Sequence, residues 1–278
     1  MIRTWILAGY FMMMSYLQTS GKINQYINPK YQYLSKMTMF FALFLAIIQL
    51  IRWVREDTNK EACDCEDGHH HGSKTWFGKL STYFLVSLPV LVVFLLPTVN
   101  LDASIIDAKG FNFPISKDST SFGDIEQQYL KPNTHIFFND KDYDELMEKD
   151  LSHYRDKKEI NLTDDNYLEV MELIYNYPKE FNGKKVKLTG FAYNQEQTKK
   201  TFLFRFGILH CVADSGVYGL MLQTDQPNEK WDDNTWLQVS GIIDTEFYEP
   251  FGQVLPVVKV DKTLQIDAPK DEYVYRIF

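Results

Sequence analysis

At 278 residues, with 29 Lys and Arg against 37 Asp and Glu and a formal net charge of −8, the chain has room for a membrane part and one or two soluble domains. The charge is uneven: residues 1–100 carry 9 basic and 6 acidic side chains, and the remainder carry 20 and 31. The polar part therefore lacks the basic footprint a phosphate backbone needs, and no nucleic acid is expected as a partner. Three cysteines, two of them in Cys63-Asp64-Cys65, are too few for a disulfide framework.

In chain order, Thr4 to Gly21 is uncharged and runs through Trp5, Ile6, Leu7, Phe11 and Met12 to Leu17. Arg3 before it raises a signal-peptide reading. The lack of a small-x-small cleavage site and the polar close at Gln18-Thr19-Ser20 favour an uncleaved span. Asn28-Pro29 marks a short loop. Met37 to Ile51 is a second apolar run, which Lys36 and Arg52 lengthen by snorkelling, so that Tyr31 to Trp53 can cross. Leu80 to Asn100 has no charged residue and as a helix would be about 30 Å long, the thickness of a bilayer's hydrocarbon core. Pro89 and Pro97 are tolerable there because neighbouring groups can satisfy the freed carbonyls. Three spans are thus expected in a lipid bilayer, over about 4–21, 31–53 and 80–99, within a membrane domain of residues 1–100.

The loop 54–79 holds Arg52, Arg55, Lys60, Lys74 and Lys79 within or beside it, with Arg3 on the same side, whereas the first loop has Lys22, Lys30 and Lys36. The positive-inside rule then puts loop 54–79 in the cytoplasm and everything after Asn100 outside the cell. The same loop contains Cys63, Cys65, His69, His70 and His71 among Asp64, Glu66 and Asp67. Thiolates and imidazoles are zinc ligands, and Gly68 permits a turn, although the spacing is that of no standard finger. A solvated polar loop explains the same residues. So does a proton-responsive histidine group.

Residues 101–133, rich in Ser, Asp and Pro, read as a linker with an edge strand near Phe111 and Phe113, ahead of a soluble domain over 134–278. His135 to Phe138 suggests a strand and Tyr143 to Leu151 a helix. Tyr167, Val170, Met171, Ile174 and Tyr175 fall at helical spacing after Thr163-Asp164-Asp165, and Pro178 ends the run. Beyond Asn182-Gly183 the period changes to two, giving strands at Val186–Phe191, Thr201–Val212, Val217–Gln223, Trp236–Ile243 and Leu255–Ile266. Five strands in this span, with Gly190 and Gly241 closing two apolar runs, predict an OB-like barrel over about 184–268, a β-sandwich being the alternative. The fold class expected is a membrane α-helical part of three spans followed by an α+β, mainly β soluble domain.

The series Asn182-Gly183-Lys184, Leu188-Thr189-Gly190-Phe191, Phe204-Arg205-Phe206, His210-Cys211-Val212-Ala213-Asp214, Trp236 to Gly241 and Pro269 to Tyr275, with the start Ile6 to Tyr10, resembles a bacterial family of permease subunits. The likeness is closest to the smaller subunit of a two-component membrane permease complex of Gram-positive bacteria. It implies a larger polytopic permease subunit as partner and a role in membrane permeability and internal pH under acid stress. Members often have two adjacent cysteines where this chain has His210-Cys211, a departure that weakens a thiol-pair role here.

Adjacent residues on a strand point to opposite faces, so His210 and Cys211 should not face each other, and Asp214 before Ser215-Gly216 reads as a turn residue. Phe202, Phe204 and Phe206 could stack bases, but the acidic surroundings favour barrel core. No P-loop, G-x-S-x-G or dinucleotide fingerprint occurs, so no enzyme is expected. The spans contain no internal ionisable residue to line a path, so transport would need the partner. The competing reading is a membrane-anchored extracytoplasmic ligand-binding or sensor protein, metal-linked through the Cys/His loop.

Overall fold

A computed structural model describes residues 2–58, 76–96, 101–109, 140–224 and 231–276. The chain forms two compact units, residues 1–100 and 101–278.

The first unit contains α1 (Ile2–Thr19), α2 (Gln32–Thr58) and α3 (Trp76–Leu95). Two helical segments, Pro29–Arg55 and Trp76–Leu95, are long and apolar enough to cross a membrane. Helix α3 begins before the expected 80 and ends at Leu95, short of Pro97. Helix α2 turns its small residues Ser35, Ala42 and Ala46 inward, at spacings of seven and four that keep them on one stripe. The Gln18 amide donates to Ser35 Oγ at 3.1 Å, which fixes that stripe against α1. Met13, Leu17 and Ile23 make the buried centre, with Tyr10, Val90 and Val93 packed on it. Gly9 lets α3 come close, since a Cβ there would stand 3.3 Å from Val90 Cγ1. Tyr10 OH donates to Val86 O at 2.7 Å, beside the Leu85 carbonyl that loses its helical donor to Pro89.

The second unit begins inside the stretch expected to be linker. Ala103–Lys109 is a helix, α4, whose Ala103 and Ile106 are buried in the domain core. The apolar pair outweighs the polar composition around it, because burial rather than average polarity decides which residues dock. The expected strands near Phe111 and over His135 to Phe138 lie outside the described residues. Then follow α5 (Asp140–Ser152), β1 (Glu159–Asn161), α6 (Tyr167–Asn176) and the turn-length α7 (Pro178–Phe181). Pro178 opens α7 at its first position, where a missing N–H costs nothing.

The sheet consists of β2 (Lys185–Gln195), β3 (Lys200–Ile208), β4 (Gly216–Gln223), β5 (Trp236–Tyr248), β6 (Gln253–Gln265) and β7 (Tyr273–Tyr275), with β1 at its edge. Its order is β1-β2-β5-β6-β4-β3-β7, and a further β2–β3 pairing joins the ends. Five strands therefore close on themselves, which fits the OB-like expectation and removes the sandwich. Strand β2 serves two neighbours, pairing β5 through Phe191 and β3 from Phe191 onward. Gly190 sits at that changeover, where a Cβ would lie 2.6 Å from Phe204 O. Gly241 marks the second corner, at the register shift between β5 and β6.

Leu188, Leu203, Leu220, Val239, Ile243 and Val258 are all 0% exposed, and the cross-strand register puts them on one face. Both faces of β3 are covered, for Phe202 and Phe204 on the other side are equally buried. Their rings stack 5.3 Å apart at 6°. The aromatic strand is core, with no open platform for bases.

Candidate functional site

Of the residues expected to hold a metal, Cys63, Cys65, His69, His70 and His71 lie outside the described residues. Among the described residues, no group of three or more His, Cys, Asp and Glu is arranged to hold a metal ion.

The His210 cluster is described, and it is a turn rather than the end of a strand. Strand β3 stops at Ile208, and a short 3-10 turn runs from Val212 to Asp214. The Asp214 carboxylate accepts from the backbone N–H groups of Leu209, His210 and Cys211 at 3.3, 2.9 and 3.2 Å. A carboxylate satisfying three consecutive amides is a capping device. The same group lies 2.9 Å from His210 Nδ1, which fixes the ring by its inner nitrogen. His210 and Asp214 are thus brought together, and Asp214 is the turn residue expected.

Two buried arginines were not foreseen as sites. Arg205 on β3 is 2% exposed. Its guanidinium donates to Asp164, to Asp271 O at 2.9 Å and to Tyr273 O at 3.4 Å. It lies over the rings of Tyr167 and Trp236, 5.7 and 5.6 Å from their centroids. One cation thereby ties the loop before α6 and the segment entering β7 to the barrel, using hydrogen bonds and ring faces together.

Arg276, just past β7, is the second. Its guanidinium lies 3.3 Å from Asp150 on α5, 3.4 Å from Glu169 and 3.2 Å from Glu172 on α6. Tyr143 OH donates to Glu172 Oε1 at 2.7 Å, and Tyr154 OH to Glu169 Oε1 at 3.1 Å. Burial drives the Glu172 carboxyl above its ordinary range; Arg276 and Tyr143 pull it back, while Asp150 and Glu169 push it further up. The Tyr154 hydroxyl is pushed up to about 12, first by burial and then by Glu169. A signal for Arg205 was available in the sequence, since Leu203-x-Arg205-x-Gly207 puts it in step with an inward residue. Arg276 gave none, because its partners come from helices more than a hundred residues away.

The DUF1980 N-terminal domain matches residues 2–112, and the DUF1980 C-terminal domain matches residues 137–276. A protein of Streptococcus mutans named "Putative two-component membrane permease complex subunit" is 40% identical, with all of both chains covered. The UPF0703 protein YcgQ of Bacillus subtilis is 36% identical over the whole of both chains. No solved structure matches. With both domain matches in order along the chain and two relatives covered from end to end, this protein belongs to the DUF1980 family.

Proposed function

We propose that this chain is the accessory subunit of a two-component membrane permease complex, acting in membrane permeability and internal pH maintenance under acid stress. The observation that carries the reading is the full-length likeness, through helical unit and barrel alike, to a relative named as a subunit of such a complex. Physical chemistry supplies the reason for a partner. Helix α3 has no buried residue, and Phe84, Leu85, Leu91, Phe94 and Leu95 are exposed along it. Such a surface requires lipid or protein around it. The charged residues described in α2 and α3 that fall within the expected spans, Lys36 and Arg52, stand at the ends of one. A path for a polar solute would thus come from a larger polytopic subunit.

The arrangement proposed has α1, α2 and α3 all crossing the bilayer, loop 54–79 in the cytoplasm, and the barrel outside. The excess of Lys and Arg beside that loop supports this orientation. The accessory role is tested by purifying the tagged chain from its own membranes in a mild detergent. A multi-span protein in fixed ratio is the expected result. Recovery of the chain alone, with the same outcome after cross-linking in intact membranes, would instead favour a membrane-anchored sensor or ligand-binding protein.

A further inference from the structure

Among the described residues of the second unit, three carboxylates surround the one guanidinium of Arg276, and the charges do not balance. Glu172 is the deepest of them: its side chain is 2% exposed, against 14% for Asp150 and 27% for Glu169. One Glu172 oxygen accepts the Tyr143 hydroxyl. The other, Oε2, is buried and accepts no hydrogen bond, although Arg276 Nη2 lies 3.2 Å away. A buried carboxylate oxygen with an unused lone pair, in a group two negative charges in excess, is a place for a proton.

We propose that Glu172 is the proton acceptor of an acid-strengthened clasp, in which one proton taken up on acidification tightens the seating of α5 and the carboxy-terminal segment on α6. Arg276, from the segment after β7, bridges both helices. Protonating Glu172 leaves Arg276 facing two carboxylates instead of three, which lowers the net charge that has to stay buried. The groups facing Glu172 account for the direction. From α5 come Tyr143 and Asp150; from α6 and its end, Glu169 and Tyr177; from β4, Tyr218; and from the segment after β7, Arg276. Arg276 and Tyr143 favour the charged form, while burial, Asp150 and Glu169 oppose it and prevail.

The sign follows from linkage. A carboxyl whose folded value is raised above its unfolded value binds its proton more tightly in the folded chain. Its contribution to stability is fully present below the unfolded value and is lost as pH rises through the folded one. Acidification from neutral pH toward the carboxylate range should therefore stabilise this part of the domain, opposite to the usual effect of acid on paired carboxylates. The inference does not depend on the permease reading, and it stands whether or not a partner subunit is found.

The test is amide hydrogen exchange on the full chain in detergent, at several values between neutral pH and pH 5, each referenced to unstructured-peptide rates. Peptides from α5, α6 and residues 268–276 are expected to exchange more slowly at the acid end, by about threefold or more. In Glu172→Gln that pH dependence should disappear, with neutral-pH protection already at the acid level. Equal protection at both ends in the native chain overturns the proposal, as does a Glu172→Gln variant with unaltered pH dependence. Should that variant fail to fold, Glu169→Gln serves, because removing one like charge should move the window to lower pH. An unmoved window is equally fatal. Infrared difference spectroscopy on the native chain gives an independent reading: a protonated-carboxyl band rising in the same window is expected, and its absence contradicts the clasp.

Discussion

Arg205 shows how much one side chain holds in this domain. A buried guanidinium needs hydrogen-bond partners, and the two terminal nitrogens of Arg205 donate to Asp164 and to the backbone carbonyls of Asp271 and Tyr273. Arg205→Met keeps much of the volume but removes the donors for Asp271 O and Tyr273 O. Because Asp164 is 65% exposed, water can replace that contact, so the loss falls mainly on the buried carbonyls. A destabilisation of about 2–4 kcal/mol is expected, read by thermal or denaturant unfolding, with β7 exchanging first. A change below about 0.5 kcal/mol would mean that the tail is held by apolar packing alone. At the same scale, the Cys63 to His71 loop supports a chemical prediction from ligand identity. The purified chain should carry a zinc-like divalent ion, and Cys63→Ser with Cys65→Ser should abolish it in elemental analysis. Metal-free native protein would leave the loop as a solvated polar segment.

Elements were legible where their period was strong and local. Alternation located all five barrel strands, and Gly190 and Gly241 stood out as interruptions before their role as barrel corners was visible. Period could not say that β4 and β6 pair in parallel, because that contact depends on closure across the whole sheet. Composition misled at Ala103–Lys109, where two buried apolar residues outweigh a polar neighbourhood. The Arg276 group was illegible for the same reason as β4–β6: its members are brought together only by the finished fold. A prediction at this scale concerns Gly241, where a Cβ would lie 2.1 Å from Lys259 O. Gly241→Ala must move backbone at the bulge, and about 2–4 kcal/mol of lost stability is expected from overpacking at a fixed corner. In the helical unit, Gly9 is where α1 meets α3. Gly9→Leu should separate those helices without touching the barrel, lowering thermal stability in detergent while exchange in β2 to β6 stays unchanged.

For the whole molecule, orientation decides what the barrel can do. With the barrel outside, the α5–α6 clasp meets the external pH; with it inside, it meets a buffered cytoplasm. A single cysteine at Gln197, exposed at the β2–β3 turn, in a chain otherwise lacking Cys63, Cys65 and Cys211, distinguishes the two. Labelling of intact cells by a membrane-impermeant reagent is expected. Reaction only after lysis would reverse the topology and remove external pH as the clasp's input. The cellular prediction then follows from transport physics: in the arrangement proposed, with Lys36 and Arg52 at the ends of one span, the helices would not by themselves conduct protons or ions, so loss of this chain should act through the partner. A deletion strain should grow poorly at low external pH and fail to hold its internal pH, and returning the native chain should restore both. If internal pH and acid survival are unaltered in the deletion, the acid-stress role falls, while co-purification with a multi-span protein would keep the accessory-subunit reading intact. Replacing His69, His70 and His71 by Gln separates a further mechanism, because with the loop on the cytoplasmic side, as proposed, imidazoles would gain charge as the cytoplasm acidifies. Unchanged acid growth in that variant, with complex formation preserved, would assign the pH response to the other side of the membrane.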